Sequence, residues 1–437
     1  MDWYWAIALL FGLIVALMLA GMPVALAFLA ANIAGAMLFM GGTIGVVQVL
    51  NNGFGAMTSF ALVPIPMFLL MGELFYYTGL AEKMFNAIDR LMGNVPGRLA
   101  YVTVAGGTGF AALSGSSMGS TALLGSLMVP EMMQRGYSKY LSMGPIMGTG
   151  GLAVIIPPSA LAVLLATLGR SDVGALLLAG VVPGVILACL YTALIFGWTV
   201  VAPDAAPRYV VPPVPLALKA KLVLRDIVPM MLVIVLVIGV MVVGVATPTE
   251  AAALGCLGVM ILAACYARLT WKAFRQSVDA GLRITVMAFL IIFGSATFSQ
   301  LLAFSGASSG LIAWATNFDV SALGMLLIMT AIIFFLGCFM DQLSMMLLTA
   351  PIFFPLAKTL GFDLTWFGLI MLLALEVGYT TPPFGLLLFV MKGVAPPDTT
   401  MRDIYYAASP FVGCVLLLIV LIIVFPALAT WLPGLMH

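Results

Sequence analysis

Runs of apolar residues, separated by short polar or proline-containing stretches, fill this chain from Trp3 onward. About 20 apolar residues make a helix long enough to cross a bilayer. Ten runs meet that length: 3–21, 23–41, 61–80, 140–169, 175–202, 227–246, 248–267, 284–304, 366–394 and 404–432. Two further stretches, about 101–135 and 325–360, are too long for one crossing and carry Ser114-Gly115-Ser116-Ser117 and Asp341-Gln342 with Ser344 near their middles. Such a segment can enter, turn and leave on the same side, a re-entrant hairpin whose irregular tip is buried in protein or lines a wet cavity. The runs 140–169 and 366–394 are interrupted by Ile155-Ile156-Pro157-Pro158-Ser159 and Tyr379-Thr380-Thr381-Pro382-Pro383. Two successive prolines remove N–H donors and force the residue before them out of the helical region, so both runs predict discontinuous helices.

The interruptions repeat. At an offset of 225 residues, Pro23 falls on Pro248, Pro130 on Pro355, Gly136 on Gly361, and Pro157-Pro158 on Pro382-Pro383, without a gap. Paired interruptions in two halves of a membrane protein point to a transport site at the bilayer midplane. The predicted fold is an all-α polytopic membrane protein with repeats at 1–202 and 227–437, a linker at 203–226, ten crossings, two hairpins and two broken helices. Segments 45–59 and 269–283 are too short or too polar to span. The second suits a helix along the interface, an arm between a fixed and a mobile part.

Charge orients the chain. With the N-terminus outside and each hairpin returning to its own side, fifteen of the seventeen basic residues lie inside, and only Arg170 and Lys358 outside. Each half then has five crossings, so the second is inverted relative to the first, and both termini are periplasmic. Composition agrees: 64% of residues are hydrophobic and 8% charged, against about 25% charged in soluble domains. The first stretch lacks a basic leader and a cleavage site, and is expected to remain in the mature protein. A net charge of +1 gives no reason to invoke nucleic acid. His437 is the only histidine and the five cysteines lie in or beside apolar segments, which argues against a histidine relay, a hydrolase triad, disulfides and a transition-metal site. The thirty methionines read as core and lipid-facing filler.

The broken helices free backbone carbonyls at membrane depth. They are either satisfied by neighbouring helices in a packed kink or used to coordinate a hard cation such as sodium. Ser114, Ser116 and Ser117, with backbone from Ile155 to Pro158, form one candidate site. Asp341, Ser344, Thr380 and Thr381, with backbone from Tyr379 to Pro382, form its mirror. Helix ends at the tips suit a carboxylate, making Gly115, Ser116, Ser159, Gln342 and Thr381 candidate substrate contacts. Asp341 has no lysine or arginine in the adjacent apolar runs, which predicts a bound cation as partner, since an unpaired charge at that depth costs about 2.5 kcal/mol or more. Glu376 either approaches this region or is a hydrogen-bonded structural carboxyl. Glu250, in Thr247-Pro248-Thr249-Glu250, reads as a helix cap, and Glu73 has no assigned role. An autonomous channel would need a ring-forming filter repeat, which the sequence does not offer, and an intramembrane enzyme a nucleophile with its base, for which serine without an available histidine leaves only weak options.

Gly115-Ser116-Ser117, the Pro130–Tyr137 stretch, Ile155-Ile156-Pro157-Pro158-Ser159, Ala179-Gly180-Val181-Val182-Pro183-Gly184, Thr247-Pro248-Thr249-Glu250-Ala251-Ala252 and Thr381-Pro382-Pro383 together resemble the large membrane subunit of TRAP transporters, the tripartite ATP-independent periplasmic systems. The resemblance covers essentially the whole chain. It implies an elevator-type secondary transporter of the ion-transporter superfamily in the bacterial or archaeal inner membrane. Sodium would drive import of organic acids such as C4-dicarboxylates or sialic acid, with no cofactor. The partners implied are a small four-helix membrane subunit, as a separate polypeptide because no extra N-terminal helices are present, and a periplasmic substrate-binding protein. The sodium sites would lie at the hairpin tips and broken helices. A stand-alone sodium/carboxylate symporter is the alternative.

Overall fold

The structure, a computed structural model, describes residues 3–207, 215–316, 320–337, 340–382 and 385–436. Arg208, Cys338, Pro383 and His437, all used in the sequence reading, lie outside them. Among the described residues every regular element is helical. The first part forms α1 (Trp3–Leu19), α2 (Val24–Phe39), α3 (Thr43–Met57), α4 (Pro64–Tyr77) and α5 (Leu80–Leu91). It continues with α6 (Arg98–Ser114), α7 (Ser117–Gln134), α8 (Lys139–Ile155), α9 (Ala160–Leu168), α10 (Val173–Ala179) and α11 (Val181–Val201). After the linker come α12 (Leu216–Leu222), α13 (Val228–Val242), α14 (Pro248–Cys265), α15 (Trp271–Phe304) and α16 (Ala307–Thr316). The last helices are α17 (Ala322–Gly337), α18 (Gln342–Thr359), α19 (Leu364–Tyr379), α20 (Leu386–Val394), α21 (Met401–Val424) and α22 (Ala427–Thr430).

Helices that are apolar all round have ends set by caps rather than by periodicity. Thr247 and Glu250 form a capping box at the start of α14, the role the sequence gives Glu250, and Thr400 with Asp403 does the same for α21. Among the described residues, six helical stretches are long and apolar enough to cross a bilayer, and the pair α8 and α9, bent by 47°, makes a seventh. The remaining predicted runs, 3–21, 23–41 and 366–394, form shorter apolar helices. Helix starts also recur: Ser117 and Gln342 open 18-residue helices 225 positions apart, and Lys139 and Leu364 open α8 and α19 at the same interval.

Contacts divide the helices into two groups. In one, α4 and α15 pack on each other and gather α1, α2, α3, α13, α14 and α16. In the other, α8 is surrounded by α6, α7, α11 and α21, and α19 by α9, α10, α17, α18 and α21. Every residue from Leu141 to Ile155 in α8 and from Trp366 to Tyr379 in α19 is buried, so the broken helices are the innermost elements, enclosed on all faces. The runs 175–202 and 404–432 pack as α11 and α21 against the broken helices; the ring of Phe411 on α21 fills the space beside Gly144 and Gly148 of α8.

The arms differ from expectation. The sequence predicts an interfacial helix over 269–283 and a separate crossing over 284–304, yet α15 runs unbroken for 34 residues. It contains no proline, whereas at the corresponding place in the first half Pro64 starts α4 after a short 3-10 turn, Phe60–Leu62, which separates it from α3.

Candidate functional site

The tip of the first hairpin is the turn from α6 to α7. Gly115 ends α6 in the left-handed conformation, φ +59, and a methyl group on it would lie 3.2 Å from the Pro158 carbonyl oxygen, so the tip rests against the break between α8 and α9. Ser116 then caps α7, its hydroxyl accepting from the Gly119 N–H at 3.1 Å. At the second tip Asp341 caps α18. One carboxylate oxygen accepts from Leu343 N at 3.1 Å and Ser344 N at 3.3 Å, and the Ser344 hydroxyl donates to the other. The carboxylate is thus held by three donors at a helix N-terminus, an arrangement that stabilises its charge. Asp341 thus has three hydrogen-bond donors of its own, and the Ser344 hydroxyl is one of them.

What joins the tips is Glu376. It is buried in α19, and its Oε2 accepts from the Ser117 hydroxyl at 3.3 Å and from the Gln342 side-chain amide at 2.5 Å. Ser117 and Gln342 are the first residues of α7 and α18, 225 positions apart. One carboxylate oxygen thus ties the two hairpins together. The other, Oε1, is buried and has no hydrogen-bond donor among the described residues. Across from it lies Gly151 of α8, where a methyl group would come within 2.8 Å of Oε1. A space of about 10 Å³ beside Glu376 and Thr380, walled by Tyr191 and Phe411, has room for one water-sized particle.

Gly115, Ser116, Ser117, Asp341, Gln342 and Tyr379 line one cavity of about 240 Å³, closed on the opposite side by Ile65, Leu69 and Glu73 of α4 and Ile284 and Ala288 of α15. The cavity thus lies where the two helix groups meet. No lysine, arginine or histidine lines it among the described residues, and Glu73 does.

Other expected ligands are placed differently. Ser159, fully buried, donates to the Val154 carbonyl at 2.6 Å and caps α9 at Ala162 N, so its hydroxyl stitches the break rather than facing the cavity. The Ile155 carbonyl packs on Gly180, where any side chain would strike it, and so turns toward α10 and α11. The Thr380 hydroxyl donates to the Glu376 carbonyl at 2.8 Å and that of Thr381 to the Val377 carbonyl at 2.5 Å, tightening the last turn of α19. Pro382 sits exposed at the turn that follows, and Ser114 ends α6 with a side chain outside the described set. Sequence reasoning gave Glu376 no firm place and Glu73 none. The available signal for Glu376 was its offset: 225 positions earlier stands a glycine, Gly151, in a Gly-rich stretch.

A model of the family described as "Tripartite ATP-independent periplasmic transporter, DctM component" matches residues 11–428. The chain belongs to this family. It is similar to the C4-dicarboxylate TRAP transporter large permease protein DctM of Rhodobacter capsulatus, 30% identical over 98% of this chain and 99% of the relative. It is also similar to the sialic acid TRAP transporter large permease protein SiaM of Vibrio cholerae, 27% identical over 96% of each chain. Among solved structures, the Alcanivorax borkumensis YdaH transporter shares the fold at a TM-score of 0.59, with 14% identity over 90% of both chains. The DctM-family chain is thus a multi-pass membrane permease subunit of a tripartite transporter, and its relatives are transporter components, not enzymes.

Proposed function

We infer that this TRAP large permease is the translocating subunit of a sodium-coupled importer of organic carboxylates in the inner membrane. It works with a separate small four-helix subunit and a periplasmic substrate-binding protein. The observation that carries the reading is Glu376, whose one oxygen ties Ser117 to Gln342 while the other is unpartnered. The cavity beside it presents Glu73 and Asp341 and no basic side chain. An organic anion entering alone would meet like charge, whereas one accompanied by sodium would not. Oxygen donors suit that ion, and Glu376 Oε1, with no donor of its own among the described residues, is the first of them.

Two inverted repeats with ten crossings and outside termini fit the helix intervals and the basic residues. The cavity at the boundary between the helix groups fits an elevator, with α6–α11 and α17–α21 moving against α1–α4 and α13–α16. The test is reconstitution of the three proteins in liposomes, with uptake of C4-dicarboxylate and sialic acid followed under a sodium gradient. Equal uptake with potassium in place of sodium would remove the coupling. A spin-label distance between cysteines at Ser116 and Leu17 should change between transport states, and a constant distance would remove the elevator.

A further inference from the structure

A second cavity, about 610 Å³, opens between the two helix groups and contains none of the tip residues. It is lined by Asn52 of α3, Ser299 and Gln300 of α15, Arg170 after α9 and Lys358 at the end of α18, with Ser308 at its edge. In the topology adopted above, Arg170 and Lys358 are the two basic residues of the outer face. They come from opposite halves of the chain and line this same space. Both are exposed, and neither has an ion-pair partner among the described residues. The nearest carboxylates in the chain, Asp172 and Asp363, cap α10 and α19 by accepting from Ala175 N at 2.6 Å and Trp366 N at 2.8 Å, and neither lines the cavity.

Two details indicate a built site. Arg170 adopts φ +51, the left-handed backbone that ends helices and usually falls to glycine. Gly169 stands next to it and does not take that conformation. The turn it makes ends α9 and leaves Arg170 on the cavity wall. Gln300 has a buried Oε1 without a donor among the described residues, and its amide can present either oxygen or N–H₂. The cavity therefore offers two cations and an adaptable amide, the reverse of the acidic cavity at the tips.

We propose that this cavity is an anion-collecting vestibule on the outer face, taking small organic carboxylates between Arg170 and Lys358 before they reach the tips. The proposal rests on the importer reading for its direction. Clefts lined by one sign of charge concentrate the opposite ion and speed its arrival.

The test measures local potential without needing the substrate. In whole cells, a cysteine at Ser308 is labelled with membrane-impermeant anionic and cationic methanethiosulfonates, and labelling of the parent chain is subtracted. The expected ratio of anionic to cationic rates exceeds that of a free thiol in solution and falls about tenfold in Arg170→Gln/Lys358→Gln. In the complete reconstituted system, the double variant should raise KM for succinate about fivefold or more at low salt with kcat retained. A ratio unmoved by the double variant overturns the vestibule and leaves the importer reading standing. Failure to label from outside overturns the vestibule and its topology together. Loss of binding-protein crosslinking with an unmoved ratio makes the cavity a docking surface and also overturns the proposal. Absence of succinate uptake in the unmutated system counts against the substrate class alone, because the thiol ratio still decides the vestibule.

Discussion

The two halves of the chain place helices at the same interval and use them differently. In the first half, α3 and α4 are separated by a 3-10 turn and Pro64; in the second, α15 carries the arm and the crossing as one rod of 34 residues, about 50 Å long. At the centre, Gly151 of α8 faces Glu376 of α19, residues at equivalent places in the two broken helices. The first half thus supplies a jointed arm and an empty place. The second supplies a stiff arm and the carboxylate that fills it. Similar helix intervals and different chemistry teach that matched interruptions can carry unmatched side chains, Glu376 standing in α19 where Gly151 stands in α8.

Glu376→Gln attacks the comparison at its centre. Hydrogen bonds to a charged group are worth about 1.5–3 kcal/mol, so sodium-driven initial uptake should fall roughly 10- to 100-fold while assembly with the small subunit is unchanged. Unaltered apparent sodium affinity in that variant would reduce Glu376 to a structural latch. Gly151→Ala approaches the same contact from the other side. Its methyl group would crowd Oε1 at 2.8 Å, destabilising the protein by about 1–3 kcal/mol, read as a lowered thermal midpoint. Combining it with Glu376→Ala should restore part of that loss, and simple additivity would deny that the two positions interact.

Pro64→Ala with Pro66→Ala tests the arms by letting helix run through the joint. Uptake should slow several-fold while equilibrium sodium binding is unchanged; a full-rate variant would show that the joint is idle. Asp341→Asn has a smaller expected effect, because asparagine caps a helix about as well as aspartate. Apparent sodium affinity should drop less than in Glu376→Gln, and a larger drop would return Asp341 to the leading place that sequence reasoning gave it. The weakest effect belongs to Lys139 and Asp398, paired at 2.6 Å on the surface. The hydrogen bond from Lys139 holds the Asp398 carboxyl below its usual range. Its contribution is therefore present above the ordinary aspartate range and lost as pH falls below that range, through the lowered folded value. Lys139→Met should leave the thermal midpoint at neutral pH almost unchanged, as exposed pairs contribute little.

The chain announces its breaks and hides its contacts. Pro157, Pro158 and Pro382 end helices by covalent geometry, and apolar length is local, so hairpins, broken helices and the cap at Glu250 are legible in the sequence. The continuity of α15 is not, since polar residues such as Arg275 and Arg283 look like a surface segment until the absence of a breaker is weighed. Glu376 is harder still. Its partner Ser117 lies 259 residues away, and no local pattern reports which carboxyl a serine at a distant tip will meet. Asp341 drew attention because it occupies a tip, yet a residue opening a helix has backbone N–H groups within reach, and these meet its charge.

The glycine opposite Glu376 also bears on ancestry. Two copies of a single polypeptide, associated about a two-fold axis, must present the same residue at both equivalent positions. Two glutamates would set two carboxyls against each other in a space that here admits one, and two glycines would leave Ser117 and Gln342 with no common acceptor. Only when the two positions are encoded separately, as they are in the two halves of this chain, can selection write glutamate at one and glycine at the other. The Gly151–Glu376 pair is thus an arrangement open to a fused gene and closed to a homodimer.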